Sequence, residues 1–260
     1  MSVGFLEDIV ETTRAGVERR RVERSLDDLM AQLGPPRRGW PFSEALIAPG
    51  VSLIAEMKRA SPSRGPIRPG AGVTEIVTMY EAAGAAACSI LTEPEFFGGS
   101  LDDLREARAA CSLPLLRKDF IVDEYQLVEA RLAGADAALL IVAATGDALL
   151  HELITFGHEI GLDLLVEVHD EEDAEIAVAA GAEIVGINNR NLKTLEVDPD
   201  TVLRLLPDIP AGTTVVAESG ISKPADVRRL GEAGVDAILV GEALMRAPDP
   251  AEAVRLLLGR

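Results

Sequence analysis

The sequence predicts an α/β fold, an eight-stranded parallel (β/α)8 barrel preceded by a helical extension, and three observations carry this. From residue 52 onward, short apolar and β-branched runs recur, each followed by an amphipathic stretch. The starts of successive runs lie 21 to 35 residues apart, which leaves room for one helix and two loops and forces the strands to run parallel. Glycines punctuate the passage from helix into the next strand. Eight such units close into a TIM barrel, so residues 1–260 read as one domain, with residues 1–48 as a helical extension packed on the barrel.

In that extension Phe5, Leu6, Ile9, Val10, Val17, Val22, Leu26, Leu29, Met30 and Leu33 recur at helical spacing, giving two helices that end near Gly34-Pro35-Pro36. The run Arg19-Arg20-Arg21, flanked by Glu18 and Glu23, reads as a solvated helix face. Strands are expected near 52–58, 87–93, 114–120, 135–143, 162–170, 183–191, 213–220 and 237–244. Between them, Ile76, Met79, Tyr80 and Ala83, or Ala174, Ile176, Ala177 and Ala180, show the helical period. Gly84, Gly134, Gly161, Gly181 and Gly234 are the expected helix C-terminal caps. A doubly wound sheet would want a glycine-rich first crossover. No G-x-G-x-x-G exists, and Gly65–Gly70 has P-loop spacing but continues Ala71-Gly72 in place of Lys-Ser/Thr.

Composition removes other classes. With 48% hydrophobic and 26% charged residues the chain is globular. No apolar run reaches the roughly 18 residues of a spanning helix, and Met1–Glu7 is not signal-like, so no membrane association and a cytoplasmic location are expected. A formal charge of −18 repels phosphate backbones and argues against a nucleic-acid partner. An anionic substrate would then need cations concentrated locally. Cys88 and Cys111 sit in apolar contexts and read as inert core thiols. His151-Glu152 lacks the second histidine of a zinc-protease helix, so neither metal nor cofactor is expected.

Barrel enzymes carry their chemistry at the carboxyl ends of the strands, and alternation names the residues. The eight ends offer Glu56 and Lys58, Thr92-Glu93, Lys118-Asp119, Glu167 and His169, Asn188 and Arg190, Glu218-Ser219, and Gly241-Glu242, leaving only the fourth without a polar group. Ionisable groups inside runs such as Leu-Leu-Val-Glu-Val are costly to bury unpaired, so function explains them better than packing. Lys58 and Lys118 beside Glu56, Glu167 and Glu218 form acid–base apparatus. A lysine among carboxylates keeps its proton, and a glutamate in a partly apolar site has its pKa raised toward that of a useful base. The segment from Glu218 to Pro224 and the run Val240-Gly241-Glu242-Ala243-Leu244 read as phosphate sites built from backbone N–H groups, with the Glu242 side chain turned away. Arg59-Ala60-Ser61-Pro62-Ser63-Arg64-Gly65 reads as a flexible lid.

At this point the residues resemble a known family. The run from Ile54 to Gly65 is similar to the signature of indole-3-glycerol phosphate synthases. So, in order, are Ser89–Glu93 with Phe96–Ser100, Leu116–Phe120, Leu165–His169, Gly186–Leu192 and Ala217–Ile221; the N-terminal helices, with Phe42 through Leu46 leading into the first strand, resemble the family's extension across its barrel. The resemblance spans essentially the whole chain. It implies conversion of 1-(2-carboxyphenylamino)-1-deoxyribulose 5-phosphate to indole-3-glycerol phosphate, with loss of carbon dioxide and water. By that analogy Lys118 is the general acid, and Lys58 holds the anthranilate carboxylate. Glu167 is the general base or the stabiliser of a cationic intermediate, and Glu56, Asn188 and Glu218 position the lysines and sugar hydroxyls. The analogy gives Ser61, Arg190, Ser219, Gly220 and Gly241, with Glu242 beside them, to the phosphate and sugar tail, and Phe97 and Leu139 to the aromatic pocket. Where the family continues its fourth strand to a leucine, Ala144-Thr145-Gly146 stands here, which implies a different edge to that pocket.

Two rival readings remain open at this level. One is a Schiff-base aldolase on a phosphosugar, with Lys118 or Lys58 as a nucleophile of lowered pKa. The other is a barrel that binds a phosphorylated ligand without turning it over. A phosphorylated small molecule is the expected partner in every case; the sequence is compatible both with a monomer and with contacts to other enzymes of a pathway.

Overall fold

The computed structural model describes residues 4–36, 39–62, 65–192 and 194–260, with Phe5 described in its backbone alone. Eight strands, β1 (Ser52–Met57), β2 (Ala87–Leu91), β3 (Leu115–Lys118), β4 (Ala137–Ile141), β5 (Asp163–Val168), β6 (Ile184–Asn188), β7 (Thr214–Glu218) and β8 (Ala237–Val240), pair in parallel in chain order. The sheet closes where β1 meets β8, with Ser52 beside Ala237 and Ile54 beside Leu239. Helices cover the outside of this closed barrel.

Alternation along each strand separates two cores. Ile54, Ala87, Leu116, Ala137, Leu139, Ile141, Leu165, Ile184, Val216, Ala237 and Leu239 fill the interior, while their neighbours face the helices in a larger cluster. The small interior residues leave a hollow at the amino end of the barrel, and the N-terminal segment fills it. Helix α1 (Phe5–Glu23) and helix α2 (Leu26–Met30) are separated at Ser25, whose hydroxyl accepts from the Asp28 N–H at 3.1 Å while Asp28 Oδ2 accepts from the Ser25 N–H at 3.2 Å. Helix α3 (Pro41–Leu46) starts on a proline and inserts Phe42 and Leu46, both fully buried, among the interior side chains. Asp163 Oδ2 accepts the Ser43 N–H at 3.1 Å and locks α3 to the foot of β5.

Several sequence expectations are corrected here. All strands end before the expected boundaries: residues 142–143 belong to the helix Val142–Thr145 and residues 242–244 to the helix Glu242–Arg246. The polar residues at the rim lie beyond the last ladder bonds, where apolar composition alone sets no boundary. The arginine run is not a solvated face. Arg20 donates to Glu129 at 2.7 and 3.0 Å and Arg21 donates to Asp123 at 2.5 Å, which clamps α1 to the helix Glu124–Ala133. Cys88 and Cys111 are buried free thiols. Among the described residues no helix is long and apolar enough to cross a membrane.

Candidate active site

The carboxyl rim encloses a cleft of about 180 Å³. Of the expected site residues, Glu56, Lys58, Phe97, Lys118, Leu139, Glu167, Asn188, Arg190, Glu218, Ser219, Gly220, Gly241 and Glu242 all line it. Ser61 does not: it is buried in a two-residue antiparallel ladder, Ala60–Ser61 with Gly65–Pro66, beyond β1. Ser63 and Arg64 of the expected lid lie outside the described residues. Arg59 is no free lid cation, because its guanidinium is held by both oxygens of Asp103 at 2.9 and 2.8 Å and by the Ala71 carbonyl at 3.0 Å.

Strand register places the charges. Glu56, Lys118, Glu167, Asn188 and Glu218 stand on the interior face, one layer above the apolar cluster. Lys118 Nζ donates to Glu167 Oε2 at 2.7 Å and to Glu218 Oε2 at 3.2 Å, and Lys58 Nζ lies 2.6 Å from Glu56 Oε1. Asn188 Nδ2 donates to Glu167 Oε1 at 3.1 Å. Burial opposes charge on Lys118, but Glu167, Glu218 and Glu56 together hold its proton far more tightly than an ordinary lysine's.

The two buried glutamates differ. Burial pushes both carboxyls up, but at Glu167 the Lys118 and His169 cations override it and keep the group well below the ordinary carboxylate range. At Glu218 burial prevails, reinforced by the charges of Glu167 and Glu56 over the opposing pull of Lys118, and the pKa rises to about 7. Its Oε1 is buried without a hydrogen-bond partner. The glutamate raised into the useful range is therefore Glu218, and Glu167 is ionised.

Glycines make room for these carboxylates. A β-carbon at Gly186 would meet Glu218 Oε1, and one at Gly241 would meet Glu56 Oε1, both inside van der Waals contact. After β7 the backbone turns through Ser219 (φ 64°) and Gly220 (φ 78°), a left-handed pair whose first member is strained for a side-chain-bearing residue. Asn189 Nδ2 braces this turn through the Ser219 carbonyl at 3.0 Å. Glu242 accepts from Arg246 Nε at 3.1 Å while still bordering the cleft.

Not every polar strand end serves the cleft. Thr92 donates to Asp119 Oδ2 at 2.5 Å and Arg117 to the same oxygen at 2.9 Å, a buried network holding β2 to β3. Glu93 accepts the N–H groups of Glu95, Phe96 and Phe97 at 2.9, 2.7 and 3.0 Å, folding the turn that presents Phe97. Apolar walls that sequence reasoning missed are Leu91, Phe120, Ile141, Leu192, Ile221 and Leu239. Phe120 lies against Phe97 with ring centroids 6.1 Å apart, and nothing in an apolar residue's identity marks it for a site. Thr145 donates back to the Ile141 carbonyl at 3.2 Å, while Ala144 packs against the interior cluster.

Fold and mouth together define a (β/α)8-barrel enzyme with a lysine–glutamate cluster at the carboxyl rim. The family model for indole-3-glycerol phosphate synthase matches residues 6–257. The chain belongs to that family. It is 52% identical over 260 residues to the indole-3-glycerol phosphate synthase of Nocardioides sp. (strain ATCC BAA-499 / JS614), covering 99% of each chain. It is 46% identical over 258 residues to indole-3-glycerol phosphate synthase 2 of Streptomyces coelicolor, covering 98% of this chain and 99% of that one. Among solved structures, 3-hexulose-6-phosphate synthase from Salmonella typhimurium matches with a TM-score of 0.65 at 16% identity, covering 80% of this chain and 96% of that one, a likeness of fold.

Proposed function

We propose that this cleft carries out the family's ring closure, converting 1-(2-carboxyphenylamino)-1-deoxyribulose 5-phosphate to indole-3-glycerol phosphate, carbon dioxide and water. The observation that carries the reading is the Lys118 ammonium seated between Glu167 and Glu218, across one cleft from the Lys58–Glu56 pair. The ring carbon bearing the carboxyl group attacks the ketone carbon, and Lys118 supplies the proton to the carbonyl oxygen. Loss of carbon dioxide returns the bonding electrons to the ring. The new hydroxyl then takes a second proton and leaves as water while a proton departs from the neighbouring carbon, which completes the indole.

Each residue has a task. Lys58 is the counter-charge for the substrate carboxylate, and Glu56 orients Lys58. Ionised Glu167 stabilises positive charge on the ring nitrogen side, with Asn188 fixing its orientation. Glu218, 3.2 Å from Lys118 and poised near neutrality, returns a proton to Lys118 for the second transfer. Phe97 and Leu139 flank the aromatic ring. Backbone N–H groups of Ser219, Gly220, Gly241 and Glu242, with Arg190, receive the phosphate tail, and Ser61 approaches it from the loop after β1. The tightly held proton of Lys118 opposes the Schiff-base alternative, which needs a lysine of lowered pKa. Turnover of the carboxyphenylamino substrate, followed by indole absorbance, tests the proposal, and borohydride with substrate should label neither lysine.

A further inference from the structure

His169 lies just beyond β5, on the side of Glu167 away from Lys118, with its ring almost wholly buried. Its Nε2 is 3.1 Å from Glu167 Oε1, close enough for charge pairing although off the line of a hydrogen bond. Its Nδ1 is 3.3 Å from Asp173 Oδ2, and the same oxygen accepts the His169 backbone N–H at 3.0 Å. Asp173 is itself fixed, since its own N–H donates to Asp170 Oδ1 at 3.0 Å in the first turn of the helix Glu171–Ala179.

Both ring nitrogens thus face a carboxylate. A neutral imidazole would turn a lone pair toward either Glu167 or Asp173, and only the imidazolium presents a proton to each. We propose that His169 is a positioning residue for the ring-closing reaction, a buried imidazolium that, oriented by Asp173, holds Glu167 Oε1 so that Oε2 is delivered to Lys118. The inference rests on the assignment of Glu167 and Lys118 to that reaction. Glu167 then takes Asn188 and His169 on one oxygen and Lys118 on the other, and its charge is shared between two cations.

The remaining groups around the ring agree. Asn188 and Asn189 from β6 and its loop are neutral, and Glu196, Asp198 and Arg204 line the same outer cavity. Burial works against the imidazolium, but the Asp173 and Glu167 carboxylates outweigh it and raise the pKa to about 9.

The test combines ring ¹⁵N NMR of the wild-type protein with kinetics of His169→Ala, His169→Gln and Asp173→Asn. In the wild type both ring nitrogens of His169 should carry protons at neutral pH. His169→Ala should lower kcat about 10- to 100-fold, the worth of one charge-assisted hydrogen bond, with KM within about twofold. His169→Gln, which can still donate to Glu167, should recover much of that loss, and Asp173→Asn should lower the His169 pKa without unfolding the barrel. A neutral ring in the wild type, unchanged kcat in His169→Ala, or a loss spread over kcat and KM that glutamine does not rescue would each overturn the inference. A wild-type protein that binds the substrate but never forms indole would instead overturn the reaction, and the NMR would still decide the charge of the ring.

Discussion

Gly241 makes room for Glu56: a β-carbon at Gly241 would fall inside van der Waals contact of Glu56 Oε1, Cδ and Cβ together. Sequence reasoning placed Gly241 among phosphate donors; in the structure it also decides where the partner of Lys58 can stand. Gly241→Ala should therefore displace the carboxylate and lower kcat by about 10²-fold, the scale expected for a misplaced catalytic group. The check is to compare kcat with inhibition by inorganic phosphate. A variant that loses phosphate affinity alone would leave Glu56 undisturbed.

Lys118→Met should lower kcat by ~10²–10⁴-fold with little change in KM, because a general acid acts mainly in the transition state. It also strips two buried carboxylates of their shared cation. Steady-state kinetics on protein shown folded by circular dichroism checks this, and near-normal turnover would remove Lys118 from its role.

Glu218 links stability to pH. Its carboxyl is raised from an ordinary value of 4.5 to about 7, so between these values the folded chain holds a proton that the unfolded chain has released. Stability contributed by this group therefore falls as pH rises through that window. Glu218→Gln removes the titration. Relative to the wild type it should gain stability on going from about pH 5 to about pH 8, by on the order of 3 kcal/mol at most. Urea midpoints at the two pH values measure the change, and a pH-independent difference would show that Glu218 keeps an ordinary carboxylate pKa.

Gly220 has φ of 78°, and a β-carbon there would meet Val197 Cγ1 at 2.8 Å. Gly220→Val should weaken competition by inorganic phosphate and raise KM, with kcat less affected, because the strained turn after β7 can no longer approach an anion closely. Isothermal titration with phosphate reads the effect directly. Unaltered phosphate binding in a folded variant would move the anion site elsewhere on the rim.

Phe42→Ala empties the foot of the barrel. The side chain is fully buried among Ile54, Leu116 and Leu165, so its loss should cost about 3–5 kcal/mol while leaving the distant mouth working. Denaturant unfolding together with residual turnover separates the two effects.

Much of this was legible in the residues. Period-two alternation names Lys118 as interior and Arg117 as exterior, and the structure places them so, one in the cleft and the other against Thr92 and Asp119. The barrel was legible because apolar runs and glycine caps are local signals. The difference between Glu167 and Glu218 was not, since it depends on which cations stand nearby across strands distant in sequence. Gly241 and Gly186 escaped for the same reason: each owes its identity to a carboxylate on another strand. Thr92, Glu93 and Asp119 looked like rim chemistry because polar residues at strand ends carry no label distinguishing a network that fastens loops from one that meets a substrate.

The closing seam between β1 and β8 sets an order of assembly. Ser52 and Ala237 become neighbours only when the eighth strand has been made, whereas α3, which stoppers the foot of the barrel, is among the first segments synthesised. A growing chain therefore carries Phe42 and Leu46 long before their full set of interior contacts exists, and β1 waits with one unpaired edge through the synthesis of six further strands. Sealing is the last event rather than the first, and a ribosome stalled before residue 237 would hold an open sheet whose exposed edge is the natural target for a chaperone.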